Sequence, residues 1–327
     1  MAIDDKRLII SEFDFDDVKN NLKLFMQGQT EFTDFNFEGS ALSTLLDVLA
    51  YNTHYLGYNM NMLANEMFLD SSSLRSSVVS HAKTLGYETS SPRAAKAFID
   101  VTLFDSILAT ASLPAGTVFT TSVDDVTFQF VNVTDFTASS IGSQIPFLNI
   151  PIFEGTFVKT QFTVSSTDID QRFVLNSNRV DTTTLTVKVQ NSIADTTSTT
   201  FVKTTDISQV TPTSANFFLQ EVEAGKYEIY FGDGIIGKNL SDGNIVILTY
   251  VVTNKGAANT ASTFTNAQSI STVTNIQIST VEAASGGAEA ETIQSIKFNA
   301  PLDFASQGRC VTAEDYKTFV ERFFPNT

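Results

Sequence analysis

The sequence predicts an α+β protein. It has an N-terminal helical region with a long amphipathic helix, then antiparallel β-rich domains, then the start of a further helical segment. Three changes of texture carry this reading. Leucine recurs every seven residues from Leu42 to Leu63. Near residue 93, Lys, Glu, Leu and Ala thin out and Thr, Val, Phe, Ser and Asp take over. After residue 283 helical spacing returns. The expected division is a helical assembly region at 1–92, a β-rich domain at 93–165 and a second β-rich domain at 166–282 carrying an FGDG hairpin. The last part, 283–327, is read as a helical segment that opens a truncated domain.

The first element is "FDFDDVKNNLKLFM", a short amphipathic helix with Val18, Leu22 and Phe25 in step and Leu24 and Met26 beside them. The second is the long one, "GSALSTLLDVLAYNTHYLGYNMNMLANEMFLDSSS". Leu42, Leu49, Leu56 and Leu63 form one row; Leu46, Met60 and Met67 form a parallel row broken only by Thr53, and Leu45 adds width. Two adjacent rows at that spacing make an apolar stripe along a helix. Ser40 is placed to cap it, and the run ends near Phe68–Asp70. About 27 residues at about 1.5 Å each give a rod of roughly 40 Å. Such a stripe needs a cover, either the rest of the chain or another subunit. A third helix follows, with one of Ser71 to Ser73 as its cap and Leu74, Val78 and Leu85 on one face. Gly86 is suited to end it in a left-handed conformation, with Pro92 beyond. The short serine joint predicts that this helix packs back on the long one.

From residue 93, "AFIDVTLF", "GTVFTT", "VTFQFVNV", "FVKTQFTV", "TLTVKVQ", "KYEIYFG" and "NIVILTYVV" place β-branched or aromatic residues at alternate positions. Turn-forming stretches such as "LPAGT", "SVDD" and "FEGT" separate them. These are antiparallel strands with one face on a core. In the tail, "AEAETIQSIKFNAP" reads as a short helix ended by Pro301, and Thr312 as the cap of another, with Glu314 and Asp315 in its first turn, running to Phe324–Pro325.

Composition narrows the function. The 327 residues are 42% hydrophobic but only 17% charged, against a usual quarter or so, which indicates much half-buried surface. The net charge of −16 repels phosphate, so neither nucleic acid nor an anionic membrane suits it. It serves solubility, or partners with basic patches. Cys310 is the one cysteine, so no intrachain disulfide is possible. No secretory leader and no apolar stretch of about 18 residues is read in the sequence. The sequons at Asn132 and Asn239 carry little meaning without secretion. His54 and His81 fall on helices and read as packed or surface residues. No nucleophile elbow and no convergent ligand set is read, so no catalytic residue, cofactor or metal is expected.

The stretch "YFGDGIIGKNLSDGNIVILTY" (230–250) is the one that invites a ligand. Its two carboxylates, Asp233 and Asp242, are too few and too far apart for a calcium loop, and Gly237–Lys238 is followed by asparagine where a phosphate loop needs serine or threonine. The simpler reading is a β-reversal. Gly232, Asp233, Gly234 and Gly237 form a structural turn, with the glycines supplying positive φ and Asp233 bonding its local backbone.

These residues also carry a resemblance. "VEAGKYEIYFGDGIIGKNLSDGNIVILTYVVTNKGAANT" resembles a signature of the baseplate-J-like family: a strand, "FGDG", a "DG" turn, a strand ending in tyrosine and a glycine–asparagine step, here Gly256 to Asn259. "SGGAEAETIQSIKFNAPLDFASQGRCVTAEDYKTFVERFFP", with a turn centred on Arg309, looks like the family's second signature. "LLDVLAYNTHYLGYNMNMLANEMFLDSSSLRSSVVSHAKTLGY" is similar to the N-terminal helical region of wedge subunits in contractile-tailed bacteriophages. Members of this branch are longer, which implies that the chain is the N-terminal part of such a subunit. The resemblance implies a structural protein of the virion tail baseplate, assembled in the host cytoplasm. It implies pairing with a second copy, a helical bundle with other wedge proteins, a ring of neighbouring wedges around a central hub, and relay of the change that triggers sheath contraction. The interface residues expected are the stripe Leu42, Leu46, Leu49, Leu56, Met60, Leu63 and Met67. The competing reading is a carbohydrate-binding or adhesin-like β-module, which threonine-rich strands permit and the lack of tryptophan disfavours.

Overall fold

The computed structural model describes residues 14–29, 34–104, 107–168, 171–204, 210–266, 268–307, 309–313, 316–317 and 320. The expected first turn at Glu314 and Asp315, and the end of that helix at Phe324–Pro325, lie outside the described residues. The architecture is α+β, and the chain divides into two compact units, one of residues 1–87 with 293–305 and one of residues 88–292 with 306–327.

The first unit holds α1 (Phe15–Gln27), α2 (Ala41–Glu66), α3 (Arg75–Thr84) and α4 (Ile293–Ser306). The Ser40 hydroxyl caps α2 by accepting the Ser43 N–H at 2.9 Å. Helix α1 runs antiparallel along the first half of α2, since Lys19 meets Asp47 at 2.6 Å while Asp14, at the other end of α1, lies 4.0 Å from His54. The serine joint behaves differently from expectation. No serine caps α3; Leu74 stands at the cap with no side-chain bond. The Glu66 carboxylate does the work instead, accepting the Ser73 N–H at 2.8 Å, the Ser73 hydroxyl at 2.7 Å and the Leu74 N–H at 3.2 Å. Nor does α3 lay its buried face along α2. Val78, Val79 and Ala82 form a small core with Tyr87 and with Ile296 and Ala300 of α4. Gly86, at φ 80, ends α3 as expected.

Pro301 does not end α4, which continues through it to Ser306. A proline forfeits one backbone bond inside a helix. Here the ring is exposed while Ile296, Asn299 and Ala300 hold the other side of the helix in the core.

The second unit contains two large sheets. The five-stranded sheet has the order β14-β1-β6-β4-β3, built from β1 (Lys96–Leu103), β3 (Val118–Val123), β4 (Val126–Val131), β6 (Ile145–Glu154) and β14 (Ile276–Ser285). All its pairings are antiparallel. A separate ribbon joins β2 (Thr110–Leu113) to β5 (Phe136–Ser139). Alternation in β1 sends Ala97, Ile99, Val101 and Leu103 into a core shared with Phe119, Phe130 and Phe264.

The seven-stranded sheet has the order β7-β13-β9-β10-β11-β12-β8. Its strands are β7 (Thr156–Thr163), β8 (Phe173–Val174), β9 (Val180–Gln190), β10 (Ser198–Lys203), β11 (Asn216–Glu221), β12 (Tyr227–Phe231) and β13 (Ile245–Val252). Only β10 and β11 pair in parallel. The sheet curls until its two edges touch: the rings of Phe162 on β7 and Phe173 on β8 are 5.3 Å apart, and Phe173 in turn meets Phe231 at 5.7 Å.

The chain passes from one sheet to the other through a single residue, Gly155, between β6 and β7. Its φ of +127 is open to glycine, and a Cβ there would lie 2.3 Å from the Val252 carbonyl oxygen. Beside this crossing Glu154, fully buried, accepts the Thr253 hydroxyl at 2.7 Å, the Asn254 N–H at 2.8 Å and the Asn254 amide at 2.8 Å. Asp181, also buried, accepts the Ala94 N–H at 2.8 Å and both the N–H and hydroxyl of Thr183. Burial pushes the Asp181 carboxyl above the ordinary range, and the bonds from Thr183 and Ala94 partly offset that.

Candidate functional site: the long helix and the glycine-rich turn

Along α2 the structure sorts the stripe residues by neighbour. The line buried in the first unit is Ser43, Leu46, Ala50 and Gly57, on the helix against which α1 packs. Small residues there let the two backbones approach closely, as ridge-in-groove packing requires. Of the predicted stripe only Leu46 is buried, at 4% exposure, and Leu42 is half-buried. Leu49, Leu56, Met60, Leu63 and Met67 are exposed, Leu56 at 59% and Leu63 at 68%. No residue of α2 beyond Gly57 is buried.

A second set was missed in the sequence. Val48, Tyr51, Tyr55, Tyr58 and Met62 are exposed on the opposite side of the rod, and the rings of Tyr51 and Tyr55 stack at 6.5 Å. The signal was present as tyrosines at 51, 55 and 58, spaced by four and three. Charge is nearly absent: Asp47 and Glu66 are the two acids of the helix, and it has no lysine or arginine. Exposed apolar side chains thus stand on two faces of the rod with few charges between them. Among the described residues no helix is long and apolar enough to cross a membrane.

Polarity is concentrated at the C-terminal end of α2. Desolvation alone would raise the Glu66 carboxyl. The bonds from the Ser73 hydroxyl and N–H, the Ser77 hydroxyl and the Leu74 N–H outweigh it and hold the group down to about 2. The His81 ring lies 2.9 Å from the Glu66 carbonyl oxygen. Both groups are tied to backbone and serve the bend between α2 and α3.

The FGDG stretch is a tight turn but not the corner of a hairpin. Strands β12 and β13 are separated in the sheet by β9, β10 and β11, so residues 232–244 cross over those strands. Gly234 and Gly237 have the expected positive φ; Gly232 does not. Gly232 is required for space, since a Cβ on it would lie 2.2 Å from the Ile236 carbonyl oxygen. Asp233 accepts the Ile235 and Ile236 N–H groups at 2.8 and 2.9 Å, and these bonds, that of Ile236 first, hold its carboxyl below the usual range. Asp242 accepts the Ser166 N–H at 2.8 Å. Both acids are committed to backbone. Behind the turn, Asp168, Asp233, Asp242 and Arg172 line a cavity of about 410 Å³ together with Phe173 and Phe231.

The two stretches that resembled family signatures meet in space. Asn259 bonds the backbone of Gly287 in both directions, and a Cβ on Gly287 would lie 2.4 Å from the Lys255 carbonyl oxygen.

Comparison with known proteins adds three findings. Residues 14–87 match a family described as baseplate wedge protein gp6-like, helical domain. The chain is 30% identical over 338 residues to the baseplate wedge protein gp6 of Enterobacteria phage T4, an alignment covering 94% of this chain and 50% of that protein. It thus spans about half the length of that relative. A chain in the cryo-EM structure of the anti-feeding prophage baseplate, 6-fold symmetrised, aligns over 94% of this chain and 64% of its own at 11% identity, with a TM-score of 0.31. That likeness is too weak to indicate a common fold.

Proposed function

We propose that this chain, whose residues 14–87 match the helical domain of gp6-like baseplate wedge proteins, is a structural, non-enzymatic component of a phage tail baseplate wedge. The observation that carries the proposal is the exposed apolar surface around α2, on a helix with only two charged side chains. Full burial of one such side chain stabilises by roughly 1.5–3 kcal/mol. Several together hold a helical bundle against the entropic cost of association. The partners that fit are a second copy and the helices of other wedge proteins. Leu49, Leu56, Met60, Leu63 and Met67 form one seam, and Tyr51, Tyr55 and Tyr58 form another on the far side. Two seams on one rod suit a bundle of more than two helices.

The two sheets then act as a framework that places neighbouring wedges in a ring around the hub. Rigid sheets tied to a bundle also provide the lever through which a change at the baseplate reaches the sheath. The test is assembly of tail particles from the full chain carrying Leu56→Asp. Loss of the chain from the particle with both sheets still folded supports the reading. Normal incorporation, or cryo-EM density showing this rod in contact with solvent along its whole length, rejects it.

A further inference from the structure

The crossing between β12 and β13 displays two isoleucines that the bundle reading leaves unused. Ile235 is 74% exposed and Ile236 is 42% exposed. The turn bearing them is rigid. Asp233 ties both of their N–H groups, and the Gly234 N–H donates to the Gly237 carbonyl at 3.0 Å. The Gly232 backbone rests against Ile236 so closely that no side chain fits between them, and the Lys238 N–H is anchored on the Ser214 carbonyl at 2.8 Å. A loop already ordered loses little entropy on docking. Around the tip, the exposed carboxylates of Asp168, Asp233 and Asp242 outnumber the cations of Lys238 and Arg172, and Arg172 is already paired with Glu228.

We propose that the Ile235–Ile236 tip is a docking plug for an apolar socket, rimmed by lysine or arginine, on a different polypeptide of the assembly. Charge chooses the occupant. Two such tips brought together would set these carboxylates against one another, and an anionic lipid surface opposes approach likewise, whereas a basic rim steers the tip inward. The proposal rests on the wedge reading only in supposing that the chain works inside an assembly.

The test places the photo-crosslinker p-benzoylphenylalanine at position 235 of the full chain, in the cell that produces it, with the same probe at position 56 as a parallel arm. Capture at 235 of another polypeptide, at an apolar segment bordered by lysine or arginine, is the expected result. An Ile235→Ser/Ile236→Ser chain is expected to keep its unfolding midpoint and to lower recovery of that partner about tenfold or more. Capture of nothing, of this chain itself, or of a socket without basic residues overturns the proposal, as does undiminished recovery with the double variant. Capture at 235 by a complex that is not a tail particle would sink the wedge reading and leave the plug. Capture at 56 within a tail particle with silence at 235 would sink the plug alone.

Discussion

The Asn259 side-chain amide reads the backbone of Gly287 in both directions, donating to its carbonyl and accepting from its N–H, each at 3.0 Å. One side chain thereby does what a pair of strand residues would do, and it joins segments 28 residues apart. Asn259→Ala leaves both backbone groups of Gly287 without that partner and is expected to cost about 1–3 kcal/mol. Asn259→Asp keeps the acceptor but sets a carboxylate oxygen against the Gly287 carbonyl, so it should restore little. Urea unfolding of the full chain followed by β-sheet circular dichroism measures both, and equal stability of Asn259→Ala and the native chain would contradict the assignment.

Glu154 supplies a second joint. In Glu154→Gln the amide oxygen keeps Thr253 and the Asn254 N–H, but its NH2 group faces the Asn254 amide. Asn254 must then turn over and release the Arg179 guanidinium, which now donates to it at 2.9 Å. The expected loss is about 1 kcal/mol. Glu154→Ala strands the buried Thr253 hydroxyl and the Asn254 N–H, and a loss of about 2–5 kcal/mol is expected. Denaturant midpoints that rank the two variants in the opposite order would refute this account.

Gly155 is where one sheet hands over to the next. Gly155→Ala puts a methyl group 2.3 Å from a carbonyl oxygen in a backbone conformation that L-residues avoid. A destabilisation of roughly 2–4 kcal/mol is expected. Gly142, also at positive φ but with nothing within 4 Å of its Cβ position, should lose only the backbone strain of about 1–2 kcal/mol on substitution by alanine. Thermal unfolding of the pair separates steric conflict from backbone strain.

Acid should loosen the bend between α2 and α3. The Glu66 carboxyl lies at about 2 in the folded chain against an ordinary 4.5. A depressed carboxyl contributes stability above its unfolded value, and that contribution drains away as pH falls through the window from 4.5 to about 2. Glu66→Gln should therefore lower the melting point of the helical unit at about pH 6 and converge on the native chain near about pH 2. A difference that stays constant across that window would show that the carboxylate charge plays no part.

Two leucines one helix apart in environment should behave oppositely. Leu46→Asp places a charge in the buried line against α1 and should unfold the first unit. Leu56→Asp alters an exposed side chain and should change stability by no more than about 0.5 kcal/mol. Helical circular dichroism of the purified chains gives the comparison, and equal damage from both would mean that Leu56 is covered within the chain.

Periodicity made much of this legible. The strands at 96–103, 118–123, 126–131, 156–163, 180–190, 227–231 and 245–252 stood out because one buried face forces alternation in the sequence. Strand β6 did not, because Pro146 and Pro151 argue against a central strand. Both sit where β6 has β1 on one side only, for β4 joins it solely at Phe153 and Glu154. Strand β14 was hidden by a polar edge pattern.

By itself the sequence determined the α+β class, the rod with its cap at Ser40, the turn at 232–237 and the scarcity of charge on α2. These depend on local spacing and on side-chain chemistry that acts within a few residues. Only the tertiary structure decided that α1 covers the line of small residues and leaves the leucines bare. It also decided that Glu66 replaces a serine cap, that β12 and β13 are not neighbours, and that Asn259 finds Gly287. Each of those outcomes depends on which distant segments meet, and sequence spacing carries no record of contacts closed across tens of residues.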